Sequence, residues 1–159
     1  MLEKRAVHRD DLWPLINLAV RPDQRDLVSS NMKTFAEAPF EPGSRVWGLW
    51  VGTVPVGLMA MVHPREYPFH LECDDTEAAY LWRLMIAAGH QGRGHGRSAI
   101  GMALAVAREW RCPRLTVGVG DLPHSAQAFY ERTGFRWTGR VVDGDRIMTR
   151  DVAPAPLTE

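Results

Sequence analysis

The sequence predicts a single mixed α/β domain, α+β in arrangement, and three observations carry that reading. Short strand-like apolar runs and stretches of helical spacing follow one another in the order β-α-α-β-β-β-α-β-α-β-β. The densest glycine cluster, Gly89 to Gly96, falls between one strand-like run and one helix-like run. The length of 159 residues suits one core and is small for two. Residues 1–152 are the expected domain, and the Ala-Pro-Ala-Pro run makes 153–159 an expected flexible tail.

Each element has its own warrant. Leu2 to Val7 reads as a strand. Asp10 and Asp11 can cap a helix whose apolar face is Leu12, Leu15, Ile16 and Ala19, with Pro14 tolerable in its first turn. Arg21-Pro22 breaks it, and a second helix is expected over 24–38, with Leu27, Asn31, Thr34, Phe35 and Ala38 on one side. Arg45 to Val51 and Val54 to Val62 read as a hairpin turning at Gly52-Thr53. After a charged connection, Glu77 to Ala87 is a strand that feeds the glycines, and Arg97 to Trp110 is a long helix. Leu115 to Val119 is a strand, and Leu122 to Arg132 a helix stopped by Gly134. Phe135 to Val142 and Arg146 to Val152 close the chain as a hairpin across Asp143-Gly144-Asp145. The six tryptophans are expected mostly in the core.

Composition narrows the function. Lys+Arg and Asp+Glu both number 19, so no net field favours nucleic acid or an anionic membrane. No apolar run approaches membrane-spanning length, and the N-terminus lacks the apolar stretch of a signal peptide. Two cysteines, Cys73 and Cys112, make no disulfide framework, and a cytoplasmic setting is the default. The spacing of His63, His70, Cys73 and Asp74 fits no zinc pattern, so no metal is expected.

Strand, glycine loop and helix in that order aim free backbone N–H groups and the positive end of a helix dipole at one point, which suits a phosphate. The spacing fits neither a Walker A loop nor a Gly-x-Gly-x-x-Gly fingerprint. What stands is Gln-x-x-Gly-x-Gly at Gln91, Gly94 and Gly96. This loop resembles the acyl-coenzyme A loop of the GCN5-related N-acetyltransferase (GNAT) superfamily, and the order of elements resembles that fold over nearly the whole chain. Ala126-x-x-Phe129-Tyr130-Glu131-x-x-Gly134-Phe135 is similar to a second family segment. Gln24-x-x-Leu27-Val28-x-x-Asn31, Ala36-Glu37-Ala38, Trp82-Arg83-Leu84-Met85-Ile86 and Thr138-Gly139 with Asp145 resemble the bacterial diamine and spermine/spermidine N-acetyltransferase-like branch.

The resemblance implies a mixed sheet of about seven strands flanked by four helices, with acetyl-CoA as cosubstrate. It places the pyrophosphate on Gln91, Gly92, Arg93, Gly94, His95, Gly96 and Arg97, and the pantetheine beside Leu84, Met85 and Ile86. The expected acceptor is a primary amine of a small molecule, in its finer form a diamine or polyamine, with Glu37 and Trp82 walling its side. A protein N-terminus, an antibiotic amine, and a non-catalytic coenzyme A-binding module remain alternatives. A homodimer is one assembly the resemblance allows.

Acetyl transfer to an amine needs a held thioester, a neutral amine, a polarised carbonyl and a proton for the leaving thiolate. A phenol is protonated at neutral pH, and Tyr130, in the family segment, is the expected general acid. An alkylammonium must lose a proton, and Glu77 is the expected base, with Glu72, His63 and a water chain as rivals. Two departures stand out. The family often has Asn seven residues before the tyrosine, where this chain has Pro123. Animal polyamine acetyltransferases carry acids in the strand before the loop, where this chain has Trp82 and Arg83.

Overall fold

The structure, a computed structural model, describes residues 1–69 and 75–154. One seven-stranded sheet is ordered β1-β2-β3-β4-β5-β7-β6. The strands are β1 (Leu2–Ala6), β2 (Ser44–Val51), β3 (Val54–Val62), β4 (Ala78–Ile86), β5 (Arg114–Gly120), β6 (Arg136–Val142) and β7 (Asp145–Asp151). The helices are α1 (Leu12–Ile16), α2 (Asn31–Glu37), α3 (His95–Glu109) and α4 (Gln127–Arg132). Every neighbouring pair is antiparallel except β4 with β5. That parallel pair is joined by α3, because parallel neighbours need a crossover long enough to return along the sheet. Among the described residues, no helix is long and apolar enough to cross a membrane.

The element order is the expected one, and the differences are in helix length. The segment read as a helix over 24–38 folds as a 3-10 turn at Pro22–Gln24, an irregular stretch, and α2 only from Asn31. Ser30 explains the late start: its hydroxyl accepts from the Lys33 N–H at 3.2 Å, an N-cap that the apolar periodicity concealed. The segment read as a helix over 122–132 likewise becomes a loop followed by α4 from Gln127. Ser125 Oγ accepts from the Gln127 N–H there. At α1, a 3-10 turn over Arg9–Asp11 comes first, and Asp11 reaches back to the His8 N–H at 3.0 Å. Ala19, placed on the apolar face in sequence, is exposed. So are Trp13 and Trp137, whereas Trp50 is buried. Ala153 is tied down by Arg108, whose Nε donates to its carbonyl, so the tail is anchored at its first residue, and residues 155–159 lie outside the described ones.

The main core lies between the sheet and α3, with Leu81, Ile100, Ala103, Ala107 and Leu115 nearly or fully inaccessible. A second cluster on the opposite face joins Leu15 of α1 to Leu58 of β3 and Met85 of β4. Asn31 fastens this second layer. Its buried Nδ2 donates to the Leu15 carbonyl at 2.8 Å and lies 3.6 Å from Met85 Sδ, so one side chain links α2, α1 and β4. Asn31→Ala leaves a buried carbonyl without its donor and should cost about 1–3 kcal/mol, read as a lower urea midpoint with an unchanged m-value.

Candidate active site

Strand β4 creates the site by changing partners along its length. Its pairing with β5 runs only from Ala78 opposite Arg114 to Leu81 opposite Val117. Beyond that point the two strands part, and the backbone of 82–86 on that side has no β5 partner. On its other edge β4 stays paired with β3, but Ala60 opposes Arg83 while Met61 opposes Leu81. Trp82 is therefore an extra residue, a β-bulge that shifts the alternation of side chains by one. Leu81 packs in the α3-side core, and after the bulge Leu84 and Ile86 take that side. Met85 goes to the α1 layer, while Tyr80 and Trp82 share a third cluster with Ile147.

The gap between the parted strands is the mouth of a cleft of about 1090 Å³. Its walls include the outer half of β4, the glycine loop, the start of α3, the stretch before α2 and Tyr130 of α4. The cleft thus brings together Trp82, Leu84, Met85, Ile86, Gln91, Gly92, Gly94, His95, Gly96, Arg97 and Tyr130, all named from sequence. Arg93, Glu37 and Glu77 do not line it.

Helix α3 begins earlier than its apolar periodicity suggested, at His95, with Gly94 as N-cap at φ +82°. The first backbone bond of the helix is from Ser98 N–H to the Gly94 carbonyl at 3.1 Å. The N–H groups of His95, Gly96 and Arg97 precede it and have no intrahelical acceptor. A Cβ at Gly92 or Gly94 would meet nothing within 4 Å, so the approach to these N–H groups is open. Gly96 has a second duty. A Cβ there would stand 3.1 Å from the Phe129 ring, so the glycine also lets α4 pack against α3. Gln91 works as a brace: its Nε2 donates to the Ile86 carbonyl at 2.9 Å and to Gln24 Oε1 at 2.8 Å, tying the loop to β4 and to the stretch before α2. A further tie crosses between walls of the cleft, where His124 Nε2 lies 2.9 Å from both carboxylate oxygens of Asp26. That contact holds the Asp26 carboxyl below its ordinary pKa.

Tyr130 is 8% exposed, with Phe129 and Phe135 edge-on to its ring at 5.0 and 5.3 Å. Burial pushes its phenol well above the ordinary value.

A family model described as Acetyltransferase (GNAT) family matches residues 9–135. The chain belongs to the GNAT family. An uncharacterized N-acetyltransferase of Mycobacterium tuberculosis is 32% identical over 93 residues, covering 54% of this chain and 59% of the relative. The chain thus spans about three fifths of the length of that curated relative. An acetyltransferase from Thermus thermophilus superposes with a TM-score of 0.70 at 25% identity, covering 95% of this chain and 97% of its own. The spermidine N-acetyltransferase of Vibrio cholerae, solved with CoA and spermine, superposes at 0.67 with 20% identity, covering 95% of each chain, a likeness of fold.

GNAT enzymes use acetyl-CoA, and the residues here fit that cosubstrate on two observations. The loop is an open cradle of N–H groups at a helix start, and β4 offers an unpaired strand edge beside it. Two of the sequence-named acids stand outside the cleft. Glu77 precedes the inner end of β4, away from the parted end, and its carboxylate is 3.0 Å from Arg114 Nη2. The same guanidinium binds Asp75 at 2.7 Å, so both acids are directed into a separate shallow cleft. A place at the start of a strand does not show which end of that strand faces the cleft. Glu37 turns to Arg83 at 3.4 Å and Lys33 at 3.9 Å instead of lining the cleft itself. His63 stacks on Trp110 and is absent from the cleft walls. Glu72, with His70, Cys73 and Asp74, lies outside the described residues. Arg83 and Asp145, which in the sequence only mark likeness to or departure from the family, both line the cleft. The bulge that aims Arg83 has no signature in the pattern of apolar residues. At Pro123 the family's asparagine is replaced, and the neighbouring His124 and Ser125 form that part of the wall.

The loop can be tested without disturbing Phe129. Gly94→Asp puts a carboxylate at the cradle, and aspartate is among the residues that tolerate positive φ. Affinity for coenzyme A should fall at least about tenfold by calorimetry through like-charge repulsion, with the melting temperature changed by only a few degrees.

Proposed function

We propose that this protein is an acetyl-CoA-dependent N-acetyltransferase acting on a primary amine of a small molecule, by direct transfer within a ternary complex. The observation that carries the reading is that the glycine loop, the unpaired edge of β4 and Tyr130 open onto one cleft. Bound acetyl-CoA supplies a thioester as acetyl donor. The N–H groups of Gly94, His95, Gly96 and Arg97, with Arg97's charge, hold its pyrophosphate. The free edge of β4 at Leu84 and Ile86 pairs with its pantetheine arm, and an N–H of that edge polarises the carbonyl. The Met85 N–H, expected from sequence in that neighbourhood, faces β3 instead, since the Ala87 N–H bonds Val56 and the Ile86 carbonyl turns to Gln91.

Tyr130, like any phenol, carries its proton at neutral pH. It is the acid for the leaving sulfur. The base is reassigned from Glu77 to Asp145. Asp145 stands where β4 and β5 part: its Oδ2 is 3.1 Å from where a Cβ on Gly118 would lie, with the Tyr80 hydroxyl 3.3 Å from the same point. A diamine or polyamine acceptor draws less support, since Glu37 spends its charge on Arg83 and Lys33.

Isotope-labelled acetyl-CoA, incubated with and without a panel of amines, tests the function. Label moving to an amine is the expected result, whereas tight binding with no transfer to any amine would make the protein a coenzyme A-binding module. Tyr130→Phe should lower kcat by about 10²–10⁴-fold with coenzyme A affinity within about twofold; a rate close to the wild type would leave Tyr130 a packing residue. Asp145→Asn should lower kcat/KM by about 10²-fold or more at neutral pH. Part of that loss should return as pH rises toward the pKa of the free amine, because the deprotonated acceptor needs no base. A loss independent of pH would make Asp145 structural.

A further inference from the structure

The bulge at Trp82 directs one cation to the acceptor half of the cleft under unusual conditions. The Arg83 side chain is only 15% exposed. Its guanidinium lies over the Trp82 ring, 4.5 Å from the centroid, an arrangement that holds it flat and keeps water from one face. Nη1 donates to the Trp82 carbonyl at 3.3 Å, and Nη2 reaches Glu37 Oε1 at 3.4 Å. Nε is buried and has no hydrogen-bond partner among the described residues. Among the described residues, the carboxylate that answers this charge is Glu37, which is over a third exposed and divided with Lys33. A buried charge with a long ion pair and an unused donor is costly, and such a group calls for an explanation in the protein's work.

The guanidinium fork matches a planar carboxylate in a way that no ammonium does. A second ammonium on a diamine would meet a like charge here. Asp145, where β4 and β5 part, supplies the opposite sign three residues back along β4, beside Tyr80. We propose that the acceptor is a carboxylate-bearing amine, an amino acid or ω-amino acid, with Arg83 holding its carboxylate while its amine is presented at the Asp145 end. This inference rests on the acetyltransferase reading and deepens it. Arg83 is then the residue that sets acceptor specificity, and Glu37 is its stand-in partner when no acceptor is bound.

The test compares acceptors that differ by the carboxylate alone: L-lysine against 1,5-diaminopentane, and 5-aminopentanoate against butylamine. Thiol release from acetyl-CoA by the full chain is the readout. In at least one pair, kcat/KM should be about tenfold or more higher for the carboxylate-bearing member. Arg83→Met should erase that preference, and Arg83→Lys should restore part of it. Glu37→Gln frees the guanidinium and should raise the preference for the carboxylate; an acceptor ammonium held by Glu37 would give the reverse. Equal or greater turnover of the plain amines, or a preference that survives Arg83→Met, overturns the inference. Should Arg83→Met fail to fold, the wild-type pairs and Glu37→Gln decide alone. Acetyl-CoA binding is measured by calorimetry alongside. Its absence overturns the acetyltransferase reading itself. If acetyl-CoA binds but no pair is turned over, titration with L-lysine and 5-aminopentanoate decides, and no detectable binding of either overturns the carboxylate inference alone.

Discussion

Everything in this molecule that bears on function follows from strand β4 having two unequal edges. Against β3 it is paired from Tyr80 to Ile86, with one residue too many at Trp82. Against β5 it is paired for four positions and then released. A central strand does not ordinarily give up backbone partners, because buried N–H and C=O groups left without them cost free energy. The released half therefore borders a cleft, where those groups remain available to water or to a ligand. The Ile86 carbonyl shows one solution, accepting from Gln91 and fixing the glycine loop in the same contact.

The bulge does the complementary work for side chains. Without it, strict alternation would put Arg83 on the face of Leu81, against Ile100 and Ala103 of α3, an untenable place for a charge. The extra residue moves Leu84 and Ile86 into that core and sends Arg83 toward α2, where Glu37 meets it. One insertion thus lets a single strand supply core residues, a backbone edge and a charged group within nine positions.

These features also mark what was legible in the sequence. The glycine loop, α3 and the whole order of elements could be read because each has a local cause: positive φ at Gly92 and Gly94, helical spacing from Ile100 to Trp110, turn residues between strands. Tyr130 could be read through the family segment. Helix length before Ser30 and Ser125 was over-read because hydroxyl caps are weaker signals than apolar spacing, and they lost to it. The placements of Glu77, Glu37 and Arg83 were beyond reach for another reason. They depend on which end of β4 parts from β5, and on a change of parity at Trp82, both set by strands distant in sequence.

Whether such a fold serves as an enzyme or only as a holder of coenzyme A turns on the part of the cleft that the coenzyme does not need. A holder requires the loop, the start of α3 and the free strand edge. It gains nothing from a phenol on the cleft wall, or from an arginine whose Nε is buried with no acceptor among the described residues. The arginine lowers stability unless something in the cleft compensates, and an apolar residue of similar size there would remove that cost. Pro123 stands where the family often has an asparagine on the coenzyme side, which is where a pure binder could least spare a contact. The distribution is thus the reverse of what binding alone favours: the coenzyme side departs from the family at Pro123, and the costly cation lines the part of the cleft that the coenzyme does not need.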